Sequence, residues 1–271
     1  MKKVLIFIWV FFTGFLVGKQ SFGQATNPYK LPDSFKFDYQ VTQAITEKQK
    51  SGERDTIQFF YTKSGDYAAV SAMGRAGIRG NLLMILTRDG IGILFNENKR
   101  SITIISFRKL ASDMSGIMKW IRMDSLMTNM RSGMNQKDIK FAKTGVTRPV
   151  GSYTAEEYSV SDRNGKKESI WFTPVDFNGP ADYIFDAVGA GYIKMMGSGM
   201  KDRPLIQALT RSKSLITEMD LKDSTGAKGI EMQTIQIGPV SKIVSISGYS
   251  VIDYSNMTIP EIFRAEMRKR N

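Results

Sequence analysis

The sequence has neither cysteine nor histidine. Without them the chain can build no disulfide, no cysteine nucleophile, no Ser-His-Asp triad and none of the usual zinc or haem ligand sets. Carboxylates, Lys, Tyr and Ser/Thr are left as catalytic groups, and none of them forms a recognised set. Proline is scarce, 8 in 271 residues, and no Pro-rich or Gly/Ser-rich linker divides the chain. After Gly18 no apolar run approaches the roughly 20 residues that a membrane-spanning helix needs. Acidic residues are also in deficit, 26 against 38 Lys and Arg, for a formal net charge of +12. Such a surplus favours anionic lipid surfaces through attraction that salt screens.

What is present begins with an export signal. Met1, Lys2 and Lys3 make a charged start, an almost purely apolar stretch fills 4–18, and Ser21 and Gly23 supply the small residues that precede a cut before Gln24. Residues 1–23 are therefore expected to be a signal peptide and 24–271 a single domain that is periplasmic or secreted. Lys2, Lys3 and Lys19 leave with the signal and no acid does, so the mature charge is +9. After export, nucleic acid is not an expected partner; peripheral contact with an anionic membrane surface is. No lipid can be attached at the cut without cysteine, and no cofactor or metal is expected.

The mature chain opens on strand periodicity. Phe35, Phe37, Tyr39 and Val41 alternate with polar residues, which places all four on one face of a strand. The same alternation marks 56–63, with Ile57, Phe59 and Tyr61 together. Further strands are expected at 67–73, 82–87, 91–95, 101–107, 151–160, 168–173, 215–221, 229–238 and 243–254. Turn residues such as Arg88-Asp89-Gly90 separate them into hairpins. Helical spacing appears at 110–134, 181–200 and 204–210. A C-terminal helix begins at Thr258-Ile259-Pro260-Glu261, with proline in its first turn. Strands in a run, with helices gathered in the middle and at the end, predict an α+β class: a single domain with a curved antiparallel sheet and helices on one face.

Isolated motifs for chemistry are weak. Ser106 and Lys109, and Ser198 and Lys201, have serine-x-x-lysine spacing, but that chemistry needs the serine at a helix start, and Ser106 is expected to end a strand. Glu156 and Glu157 are neighbours on a strand and point to opposite faces. Gly189-Ala190-Gly191 lacks the third glycine and the preceding strand of a dinucleotide loop. Asp220 and Asp223 fall short of a calcium loop. Arg75 and Arg79, set among Gly74, Gly77 and Gly80, are candidate contacts to an anionic head group. Met114, Met118, Met123, Met127, Met130 and Met134 crowd one segment; thioethers adapt to varied apolar shapes, which suits a lid over a lipid-sized cavity, an adaptable partner surface or an irregular core.

Phe35-Lys-Phe-Asp-Tyr39, Tyr61-Thr-Lys-Ser-Gly-Asp-Tyr67, Gly151-Ser-Tyr-Thr-Ala-Glu-Glu-Tyr158, Ile170-Trp-Phe172 and Thr258-Ile-Pro-Glu-Ile262 together resemble an exported bacterial family carrying a domain of unknown function (DUF4412-like). That family is similar to the lipoprotein-carrier superfamily of LolA and LolB. The resemblance implies an incomplete barrel: a curved antiparallel sheet whose concave apolar face is covered by helices and can hold acyl chains. It implies no catalytic residue. The expected function is a non-enzymatic binding or carrier module for a hydrophobic, lipid-like ligand, with a head group that is anionic if Arg75 and Arg79 reach it. Phe35, Phe37, Tyr39, Phe59, Tyr61, Leu83, Ile85, Trp120, Trp171, Met118 and Met127 are the side chains expected to line the ligand. The alternative from another class is an envelope protein-interaction or sensor module on the same scaffold, with the Met-rich segment as its interface.

Overall fold

The computed structural model describes residues 29–47, 54–73, 82–110, 140–161, 167–179, 182–183, 211–222 and 229–268. They form one large, open, curved sheet. The strands are β1 (Ser34–Glu47), β2 (Arg54–Tyr61), β3 (Tyr67–Met73), β4 (Leu82–Thr87), β5 (Ile91–Asn96), β6 (Ser101–Ser106), β7 (Lys140–Val150), β8 (Tyr153–Ser161), β9 (Lys167–Pro174), β10 (Ser214–Lys222), β11 (Gly229–Ser245) and β12 (Ser250–Asp253). A helix, α1 (Ile259–Arg268), follows them. Their order across the sheet is β12-β6-β5-β4-β3-β2-β1-β11-β10-β9-β8-β7. Two meanders, β1 to β6 and β7 to β11, are thus joined along the β1–β11 pair. Every described pairing is antiparallel except β12 with β6, which is parallel and departs from the uniformly antiparallel expectation.

That last pairing forces curvature. Ser245 ends β11 and Ser250 begins β12, five residues on, a span of at most about 18 Å. In a flat sheet, the seven strand spacings between β11 and β12, each about 4.8 Å, would hold them about 34 Å apart. The first meander therefore curls until β11 and β12 come within reach of one short turn, made by Ser247 and Gly248, whose φ is +79°.

The interior of that curl is filled. Phe60, Ala69, Ile85, Ile93 and Ile104 stand in register across β2 to β6, as do Leu83, Phe95 and Ile102 across β4 to β6. All are buried, and Phe35 and Phe37 pack against them. Each such side chain contributes about 1.5–3 kcal/mol on burial. Phe35 meets Tyr67 edge-on at 5.1 Å, and Phe37 does so at 5.4 Å. The Tyr67 hydroxyl accepts from Lys36 N–H at 2.9 Å and donates to the Lys36 carbonyl at 3.1 Å, holding the start of β1 where β2 no longer pairs with it.

Several expectations change here. Phe35, Phe37, Tyr39 and Val41 do not share one cluster: the first two join the core just described, whereas Tyr39 and Val41 pack in a second one. The switch falls where β1 runs past its last pair with β2, Tyr39 with Tyr61, and where the register with β11 shifts between Phe37 and Tyr39. A bulge there adds twist and re-aims the side chains. Strand β2 is buried on both faces, so Phe60, outward by alternation, is as deeply buried as Tyr61. The strand at 229–238 continues through Pro239 to Ser245, because the proline lies at that same bulge, where a missing N–H is tolerated. The strand expected at 243–254 is consequently cut by the Ser247-Gly248 turn. Strand β7 was not legible: nearly all its side chains are exposed, which leaves no apolar alternation to read.

Ser106 ends β6 but also starts a helical turn at 107–110, its Oγ accepting from Lys109 N–H at 3.2 Å. The Lys109 ammonium donates instead to the Asn256 carbonyl, so no serine–lysine pair forms. The signal segment, the helices expected at 110–134 and 204–210 and nearly all of 181–200 lie outside the described residues; the covering of a concave face by helices is not seen among those described. Helix α1 forms where expected. Thr258 N–H and Oγ1–H both donate to Glu261, at 2.7 and 2.8 Å, and Ile262 is buried.

Replacing Ile85 or Ile93 by Ala should cost about 2–5 kcal/mol, read as a lowered urea midpoint. Ile243→Ala, at a side chain 62% exposed, should stay within about 0.5 kcal/mol.

Candidate functional site

On the other face of β1 to β4 lies a second cluster built from Val41, Tyr61, Leu86, Val175, Phe177, Tyr183, Leu215 and Ile237. Half-buried Tyr39, Phe59, Ala68, Phe107, Val150 and Tyr153 pack around it. What brings these together is the connection leaving β9. Pro174 ends that strand, Val175 N–H makes a last ladder-like bond to the Lys213 carbonyl at 2.9 Å, and the chain then crosses the sheet. Gly179 permits the crossing: a Cβ there would lie 2.5 Å from the Ser214 carbonyl oxygen. Asp182 closes the segment back onto the same place, accepting from Gly179 N–H at 2.7 Å and Lys213 N–H at 3.1 Å.

The crossing sets Phe177 into an aromatic slot. Its ring stacks on Tyr39 at 4.5 Å, leans on Tyr61 at 5.0 Å and meets Tyr153 edge-on at 6.5 Å. Tyr183 lies 6.4 Å beyond Tyr61. The adjacent Asp176 is exposed and receives two phenols, Tyr153 Oη–H on Oδ1 at 2.7 Å and Tyr39 Oη–H on Oδ2 at 3.2 Å. The slot therefore has an apolar body and one polar end.

The electrostatics follow from that geometry. The Tyr153 hydrogen bond, aided by Tyr39 and the charge of Lys63, holds the Asp176 carboxyl below its usual range. Burial, then the bond to Asp176, pushes Tyr153 well above the usual phenol range, and Tyr39 is raised for the same reasons. Burial raises Tyr61 strongly and Tyr183 to about 12. All four phenols are thus neutral near pH 7, and none is poised as a base. The Tyr183 hydroxyl faces Thr62, and Ser214 Oγ is buried without a hydrogen-bond partner among the described residues.

No family model matches the chain, and no curated protein matches it; the DUF4412-like assignment gains no support there. Among solved structures, an uncharacterized conserved protein from Thermus thermophilus aligns at TM-score 0.36 and 6% identity, over 80% of this chain and 90% of its own. PNGF-II aligns at 0.38 and 12% over 85% of this chain, which spans only 33% of that protein. A LolA-superfamily protein from Nitrosomonas europaea aligns at 0.27 and 7%, over 77% of this chain and 87% of its own. One of the three thus belongs to the superfamily that the sequence motifs resemble. At scores this low the likeness fixes neither a shared fold nor a shared function.

The expected ligand-lining residues are dispersed. Tyr39, Phe59 and Tyr61 meet at the slot. Phe35, Phe37, Leu83 and Ile85 are not among them: they are buried together in the first core cluster. Trp171 is elsewhere, under the Arg148 guanidinium at 4.1 Å, which also pairs with Glu218. Trp120, Met118, Met127, Arg75 and Arg79 lie outside the described residues. Phe177, Asp176, Tyr153 and Tyr183 are new to the site. A single aromatic in the 175–179 part of the long β9–β10 connection has no period to read.

The Asp176 tie should be pH-dependent. With its folded pKa depressed, its contribution is complete above the unfolded carboxylate range of about 4 and lost as pH falls through the lower folded value. The difference in unfolding midpoint between the native chain and Asp176→Asn should therefore shrink on acidification; a difference that stays constant down to the acid limit contradicts the tie.

Proposed function

We propose that the chain is a binding or carrier module of the cell envelope for a hydrophobic, lipid-like ligand, which it holds without chemical change. The observation that carries this reading is the slot around Phe177: half-buried Tyr39, Phe59 and Tyr153 over a buried apolar floor, with hydrogen-bonding groups confined to the Asp176 end. An apolar surface with a few polar groups at one end suits a ligand with a long apolar body and a small polar head. The opposite face of the same strands carries the buried cluster of Phe35, Phe37, Leu83 and Ile85.

Phe177 occupies the space an acyl chain would take, so ligand entry requires the 175–179 crossing to lift. The signal segment and the absence of His and Cys support an exported, non-catalytic role. Native mass spectrometry of protein purified from its own envelope, with lipid extraction and displacement of a fluorescent fatty-acid probe, tests the reading. Bound lipid is expected, with probe affinity lowered about tenfold in Tyr39→Ala, on the scale of one lost aromatic contact. Ligand-free protein that ignores the probe contradicts it.

A further inference from the structure

Helix α1 is tied to the sheet on one side and exposed to solvent on the other. Ile262 is buried, Glu266 accepts from the Tyr254 hydroxyl, and the Thr258–Glu261 box closes its first turn. These ties orient the helix so that Phe263 and Met267, one turn apart, face outward at 54% and 67% exposure, the largest apolar exposures on the helix. Arg264 and Arg268, also one turn apart and exposed, form the adjacent row. Arg264 Nε–H donates to the Pro260 carbonyl at 3.3 Å, which holds its guanidinium along the helix beside Phe263. The acids of α1 are engaged by other groups, Glu261 by the Thr258 cap and Glu266 by Tyr254, although Glu261 still feels the Arg264 charge.

We propose that this face of α1 docks on an anionic lipid surface. An apolar row lying beside a basic row is the arrangement by which a short helix sits in the plane of a membrane interface, the apolar side chains entering the acyl boundary and the cations meeting phosphates. Charge complementarity extends beyond the helix, since the whole chain carries a surplus of basic residues. No described helix is long and apolar enough to cross the bilayer, so the contact is peripheral. It does not depend on the aromatic slot, and either can fail alone.

The test is co-sedimentation of the protein purified from its envelope with vesicles of phosphatidylcholine alone or with phosphatidylglycerol added. Binding is expected only to the anionic vesicles, falling steeply with salt. Arg264→Gln/Arg268→Gln should weaken it about 30-fold, roughly fivefold per cation. Phe263→Ala/Met267→Ala should also weaken it and leave the salt dependence in place, and the exposed control Ile243→Ala should not change it. Unaltered circular dichroism melting in each variant separates lost docking from lost folding. Equal binding to both vesicle types overturns the proposal, as does anionic binding that survives both double variants. A dimer in sedimentation velocity that Phe263→Ala/Met267→Ala abolishes would also overturn it, assigning the face to a second copy.

Discussion

The pairing of β1 with β11 is the constraint on which the rest of the molecule depends. These are the two longest strands, Ser34–Glu47 and Gly229–Ser245, and they come from opposite ends of the chain. Until they meet, the first meander has no partner along its β1 edge and the second has none along β11. Their register shifts twice, between Phe37 and Tyr39 and between Thr42 and Gln43. The first shift sends Phe35 and Phe37 into one core and leaves Tyr39 and Val41 for the other. It also brings the end of β11 close enough to β6 for β12 to add in parallel. Closing so large a loop is costly in chain entropy, and the ring-on-ring contacts of Phe35 and Phe37 with Tyr67, Phe60 and Phe95 are placed where that cost must be offset.

Division of labour between the two faces of the same strands follows. One face is packed to completion and supplies stability. The other carries a smaller apolar floor under a single crossing segment held by Pro174, Gly179 and Asp182. That segment is anchored by buried Val175 and Phe177 as well as by the exposed Asp176 carboxylate and its two phenols, so lifting it gives up the burial of those side chains.

Much of the strand layout was legible because half-buried strands write their period into the sequence: 67–73 and 82–87 carry apolar residues between turn residues, and their boundaries agree with β3 and β4. The start of α1 was legible from a different local signal, the proline in its first turn. What alternation cannot show is where a strand changes sides, so Phe35 to Val41 read as one face when a bulge divides it. Strand β7 was hidden because exposed edges need no apolar pattern. The site was half legible: Tyr39, Phe59 and Tyr61 lie on periodic strands, whereas Phe177 and Asp176 reach them from more than a hundred residues away along a loop, which leaves no spacing to detect.

The claim that ligand is held at the Phe177 slot, and not inside the filled core, is tested most directly by photo-crosslinking with a diazirine-bearing fatty acid followed by peptide mapping. Adducts concentrated on Tyr39, Phe59, Tyr153 and the 175–179 crossing are the predicted result. Adducts on Phe35, Phe37, Leu83 or Ile85, with the slot unlabelled, would contradict it.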